Sequence, residues 1–258
     1  MTPKASCPVL MYHRVGHPVQ SRSDRFLNIS ARAFERQIGL LARLGYRART
    51  FAEVSEALSR GYSVPRRTVA ITFDDGYRCV AEAARPILDR YGMPATVFVV
   101  SGCVGGENAW DAPTEHPVSP LMSWDTLRAL ADGGWEIAGH TRTHPRLGSM
   151  DDDAALADIA NGKQDIQSML GATVRTFCYP YGHLNASTPR LVRHVGYEGA
   201  CTTRSGIAHS LNDPFLQPRV KVYGESLLDF AFRLFLRRLL PEIRRRNLPD
   251  APRPRRYA

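Results

Sequence analysis

A chain of 258 residues, 43% hydrophobic and 23% charged, is long enough for one large core and too apolar for wholesale disorder. Its five cysteines are odd in number and widely spaced, with no Cys-x-x-Cys pair to suggest zinc or redox work, and a reducing compartment fits them best. The formal charge of +9 gathers in residues 219–258, where eleven Lys/Arg stand against four Asp/Glu, and no recognised nucleic-acid module accompanies it, so no nucleic-acid partner is expected.

Val9 to Tyr12 reads as the first strand. Ser30 then caps a helix whose apolar positions Phe34, Ile38, Leu41 and Leu44 recur at helical spacing up to Gly45. After a short strand near Tyr46 to Arg49, Thr50 and Glu53 form a capping box for a helix ending by Gly61. Thr68 to Phe73 is a strand, followed by a helix from about Tyr77 to Tyr91 and a strand from Ala95 to Val100. Residues 102–120, with three Gly and three Pro, read as a long irregular loop of the rim or lid type. A helix at Trp124 to Ala131, a strand at Trp135 to Ala138, a helix at Asp151 to Leu170 and a strand at Thr176 to Tyr179 follow. Asn185 to His194 reads as helical, and Tyr197 to Cys201 and Gln217 to Val222 as strands. Seven or eight strands alternating with helices predict parallel strands with helical crossovers, and suit a closed or nearly closed (β/α) barrel.

Two segments carry chemistry. Thr72-Phe73-Asp74-Asp75-Gly76 places adjacent carboxylates where a strand ends, the position of catalytic groups in barrels. In isolation, Asp-Asp-Gly reads equally as a turn and helix cap. Gly139-His140-Thr141-Arg142-Thr143-His144 also follows a strand, and two imidazoles joined by one carboxylate leave an open position of the kind found in catalytic zinc sites.

Together these residues resemble the polysaccharide deacetylase family, carbohydrate esterase family 4, whose NodB-homology domain carries a Thr-Phe-Asp-Asp-Gly motif and a His-Ser/Thr-x-x-His motif. The resemblance spans roughly residues 8–224 and implies a deformed (β/α)7-8 barrel. It also implies a divalent metal on Asp75, His140 and His144, with zinc first and cobalt, nickel or manganese as alternatives, and Asp74 as general base. Phe177-Cys178-Tyr179-Pro180-Tyr181-Gly182 is similar to a third family motif, whose likeness assigns the Tyr181 N–H to the oxyanion; alone it reads as a strand and a Pro-Gly turn. Cys178 stands where the commonest form has an arginine that orients the catalytic aspartate. Arg175 is misplaced for that duty, which makes Arg219 the candidate, with a structural ion pair as its other reading. No histidine follows His209, so the usual C-terminal Leu-x-His acid is missing. Leu10-Met11-Tyr12-His13-Arg14 instead resembles the rearranged branch of β-1,6-linked poly-N-acetylglucosamine deacetylases, and makes His13 the expected acid, against a merely structural strand-end histidine. Thr141 is expected to position His144 or its loop, and Trp110, Trp124 and Tyr181 are candidates for stacking on sugar.

The expected function is removal of N-acetyl groups from N-acetylhexosamine in an oligosaccharide, a polysaccharide or a lipid-linked precursor. Hydrolysis of another amide, such as a formamide, and a non-catalytic sugar-binding module are the alternatives. Three parts are expected: a catalytic domain over 1–224, a basic amphipathic helix over 225–247 and a disordered Pro/Arg tail over 248–258. The helix reads first as packing against the barrel, and otherwise as an interfacial helix in which Arg237, Arg238 and Arg244 to Arg246 face anionic lipid. No apolar h-region opens the chain and no run of about 18 apolar residues occurs, so a cytoplasmic location without a membrane span is expected.

Overall fold

The computed structural model describes residues 5–17, 26–111, 118–222 and 226–239, with side chains of the last segment to residue 234. Seven parallel strands form a closed barrel: β2 (Val9–Tyr12), β6 (Thr68–Phe73), β7 (Thr96–Val99), β8 (Glu136–Gly139), β9 (Thr176–Cys178), β10 (Gly199–Ser205) and β12 (Gln217–Lys221). The ring runs β2-β12-β10-β9-β8-β7-β6 and closes where β2 pairs with β6, Val9 opposite Ala70 through Tyr12 opposite Phe73. An eighth strand, β5 (Arg47–Arg49), lies outside this ring and pairs with the start of β6. Two minor pairs flank the barrel: β1 (Ser6–Cys7) with β11 (Ala208–His209), and β3 (Arg14–Val15) with β4 (Asn28–Ile29).

Strand alternation sorts the side chains into two cores. Tyr12, Ile71, Phe73, Val97, Ile137 and Phe177 join the large outer core with the helices α1 (Ala31–Arg43), α4 (Trp124–Asp132) and α5 (Asp152–Leu170). Alternate positions, Val9, Ala70, Phe98, Ala138, Cys178 and Cys201, form the smaller cluster inside the barrel. The side chains are mostly small because α2 (Phe51–Ser59) enters there, contributing Phe51, Val54 and Leu58. Its first turn is received by polar groups: the Phe51 N–H donates to Thr96 Oγ1 and the Ala52 N–H to Glu136 Oε2, each at 2.8 Å. These partners satisfy helix-terminal donors that would otherwise be buried unpaired. The expected Thr50–Glu53 capping box closes the same end.

Three expected helices differ from the structure in their bounds. The one expected from Tyr77 begins as a π-helical turn, Val80–Ala84, before α3 (Arg85–Arg90), because Pro86 has no N–H to continue the α ladder. The one expected from Asn185 begins later as α6 (Thr188–His194), since Asn185 Oδ1 accepts from the N–H groups of Ser187 and Thr188 in a turn. The C-terminal helix runs as α7 (Leu227–Leu239), with Phe230 and Leu234 in the core and contact with α1. Its expected end at 247 and the expected tail at 248–258 lie outside the described residues. Among the described residues, no helix is long and apolar enough to cross a membrane.

Candidate active site and metal centre

The inward register of the strands delivers the site. Continuing two residues beyond Met11, Thr72, Ala138 and Arg219 gives His13, Asp74, His140 and Lys221, all lining one cavity of 460 Å³ at the C-terminal mouth. Trp110, Asp111, His144, Tyr181 and Thr203 complete much of its wall.

Asp74 is 2% exposed and held as a bidentate pair, with Arg219 Nη1 donating to Oδ1 and Nη2 to Oδ2, each at 2.6 Å. The fully buried Arg219 also donates to the Thr202 carbonyl at 3.0 Å, Thr72 Oγ1 at 3.1 Å and Cys178 Sγ at 3.1 Å. Burial acts to raise the Asp74 carboxyl, but the charge and hydrogen bonds of Arg219 outweigh it and leave the group below its ordinary value. The arginine expected to partner Asp74 is thus brought to it from β12, and Cys178 leaves the room. Arg175 pairs instead with Glu56 and Glu198.

Asp75 Oδ1 lies 3.3 Å from both His140 Nε2 and His144 Nε2. Bonds of about 2.1 Å to a tetrahedral ion place neighbouring donor atoms about 3.4 Å apart, so these separations and this donor chemistry fit one divalent cation. His140 Nδ1 meets the Cys178 carbonyl at 2.7 Å, which makes it the N–H donor and turns the Nε2 lone pair toward Asp75. A second cluster, Asp74, His140 and Cys178, is also compact enough to suggest a metal. It fits poorly, because the Arg219 guanidinium already lies against Asp74 and Cys178, and burial holds the thiol well above its usual range.

Among the described residues five non-glycine residues have positive φ, and four belong to this mouth: Asp75 at 73°, Thr141 at 68°, His144 at 60° and Tyr181 at 58°. Such conformations are costly for L-residues and concentrate where a site over-determines them. Thr141 helps hold its loop, as expected, by accepting from the His144 N–H at 2.9 Å. Asp158 on α5 accepts from the Arg142 N–H at 2.8 Å and from Thr143 Oγ1 at 2.7 Å.

His13 Nε2 is 3.8 Å from Asp74 Oδ2, with a side chain 15% exposed toward the cavity. Burial lowers its imidazole below the usual value, against the opposing pull of Asp74 and Asp75. Tyr181 sits in a tight turn, Pro180–Gly182, and is 43% exposed, with Arg146 lying over its ring at 4.6 Å.

A family model described as polysaccharide deacetylase matches residues 61–200, more than half of the sequence. The chain belongs to the polysaccharide deacetylase family. Among curated relatives, a poly-beta-1,6-N-acetyl-D-glucosamine N-deacetylase of Staphylococcus aureus is 25% identical, aligned over 86% of this chain and 80% of its own. The structure of IcaB from Ammonifex degensii is 27% identical and superposes with a TM-score of 0.74 over 89% of this chain and 97% of that one. The Streptococcus pyogenes deacetylase PplD, in complex with acetate, shares the fold at 24% identity, with a TM-score of 0.74 over 86% and 94% of the two chains.

In this polysaccharide deacetylase the three aromatic candidates part company. Trp110 and Tyr181 reach the cavity, whereas Trp124 begins α4 and packs against the outer core. Sequence reasoning missed Asp111, Lys221 and Thr203 in the wall, and Asp158 behind the histidine loop. The inward register of β12 could have pointed to Lys221 once Arg219 was singled out, but Asp158 has no local signature on its helix.

Proposed function

We propose that the chain is a metal-dependent hydrolase that removes N-acetyl groups from N-acetylhexosamine residues of an oligo- or polysaccharide or its lipid-linked precursor. One observation carries this reading: Asp75, His140 and His144 converge in the same cavity as a separate carboxylate, Asp74, locked by a buried arginine. Zinc is the first choice for two imidazoles and a carboxylate; cobalt, nickel and manganese suit the same donors. When bound, such an ion supplies Lewis acidity that polarises an amide carbonyl and makes water more acidic.

The protein's own groups perform the rest. Asp74, kept ionised by Arg219, accepts a proton from the attacking water. The Tyr181 N–H donates to the oxygen that gathers negative charge when the acetamide carbon becomes tetrahedral. His13 donates a proton to the departing nitrogen, so that the C–N bond breaks to give acetate and a free amino sugar.

Likeness to a poly-beta-1,6-N-acetyl-D-glucosamine N-deacetylase favours a β-1,6-linked substrate. Acetate release from zinc-loaded protein on β-1,6- and β-1,4-linked N-acetylglucosamine oligomers tests this, with faster release from the β-1,6 series expected. Release from neither series by metal-bearing protein would contradict the oligosaccharide reading. A peripheral contact with anionic membrane is a second proposal, favoured by Leu228 and Phe232, 84% and 60% exposed on α7. Co-sedimentation with anionic vesicles at low salt is expected, and its absence would remove the idea. A cytoplasmic site of action completes the proposal, and fractionation of the source cells checks it.

A further inference from the structure

The two histidines of the candidate metal centre are held in different ways. His140 is fixed through its second nitrogen, Nδ1, on the Cys178 carbonyl, the ordinary support for a metal-binding imidazole. His144 Nδ1 is buried and makes no hydrogen bond among the described residues. Rings surround it instead. Trp110 stacks on His144 with centroids 4.4 Å apart and planes at 30°, and Tyr181 meets it in a T-shaped contact at 4.5 Å and 65°. Both geometries are favourable arrangements of aromatic quadrupoles.

The arm that carries Trp110 is anchored. Its helical turn, Ala109–Asp111, is tied down by Asn108, whose Nδ2 donates to Asp111 Oδ2 at 2.6 Å and to the Tyr77 hydroxyl at 3.3 Å. Arg14 donates to the same hydroxyl at 3.0 Å and lies over the Tyr77 ring at 4.4 Å. Asn108, Tyr77 and Arg14 are fully buried. Trp110 is therefore presented to His144 from a fixed base.

We infer that Trp110 is a positioning residue for His144: with Tyr181 it clamps the imidazole between rings, in place of the hydrogen bond that orients His140. The inference rests on the reading of Asp75, His140 and His144 as metal ligands. Its consequence is that metal affinity depends on an aromatic ring at position 110, apart from any contact Trp110 makes with sugar.

The test is zinc affinity by competition with a chromophoric chelator for wild type, Trp110→Leu, Trp110→Phe and His144→Ala. Leu keeps apolar bulk and removes the ring, and is expected to weaken zinc binding about tenfold, in the range of lost outer-shell support. Phe should restore most of the affinity. Cobalt titration of unsubstituted protein supplies a second readout, since Trp110 lies against a ligand and its emission should be quenched in step with binding. Unchanged zinc affinity in Trp110→Leu, or equal losses in the Leu and Phe variants, would overturn the clamp while leaving the metal centre standing. Wild type that binds zinc no better than His144→Ala would overturn both.

Discussion

Asp74 and Arg219 form a pair that is nearly excluded from water, which makes their separation expensive. Removing one partner of a buried pair typically costs about 3–5 kcal/mol, because the other charge is left unpaired. With Arg219 present, the Asp74 pKa lies below its unfolded value. The resulting stability is fully present above the ordinary carboxylate range and is lost as pH falls through the lowered value. In Arg219→Met the largest opposing charge is gone and burial, the leading cause, outweighs the weaker pull of His13 and His140 and raises the carboxyl, so this group's contribution should change sign and stability should increase as pH falls through the raised value. Urea unfolding of both proteins from pH 7 to pH 4 checks this; parallel curves would refute it. His13 lies 3.8 Å from the same carboxylate. His13→Gln should lower kcat by about 10²–10⁴-fold, the usual share of a general acid, with KM little changed. Steady-state kinetics on zinc-loaded protein reads this directly, and a loss confined to KM would count against the acid role.

At the scale of elements, the barrel strands and the two motif loops were legible because each has a local cause. Apolar runs such as Thr68–Phe73 end in Asp-Asp-Gly, and Glu136–Gly139 ends in the histidine loop. The capping box at Thr50 was also legible, but its destination was not. Whether α2 lies on the barrel or enters it depends on the small side chains Ala70, Ala138, Cys178 and Cys201, scattered over more than a hundred residues. The π turn at Val80–Ala84 was missed for a different reason: Pro86 sits near the start of α3, where proline is well tolerated, and its effect falls on the turn before. The support behind the histidine loop was equally hidden. A Cβ on Gly162 of α5 would come within 2.7 Å of the Thr141 carbonyl carbon, so glycine lets the helix approach the loop that carries His140 and His144. Gly162→Ala should therefore destabilise the fold by about 1–3 kcal/mol, as overpacking does, despite alanine's better helix propensity. Thermal unfolding together with zinc titration checks it, with weaker binding expected alongside the lower Tm.

For the whole molecule, one closed ring of strands explains why residues distant in sequence share a site. His13 follows the first barrel strand and Arg219 lies on the last, and β2 and β12 are hydrogen-bonded neighbours, Val220 opposite Leu10. The order of motifs along the chain thus matters less than their order around the barrel, which is how an N-terminal histidine comes to stand beside the Asp74–Arg219 pair. In the proposed reaction one carboxylate of Asp-Asp holds metal while the other handles the proton. Acetate release per bound zinc, compared between wild type and Asp74→Asn on N-acetylglucosamine oligomers, tests it most directly. Equal zinc stoichiometry is expected, with release lowered by at least about 10²-fold in the variant. Undiminished release per zinc, or loss of zinc from Asp74→Asn, would contradict it.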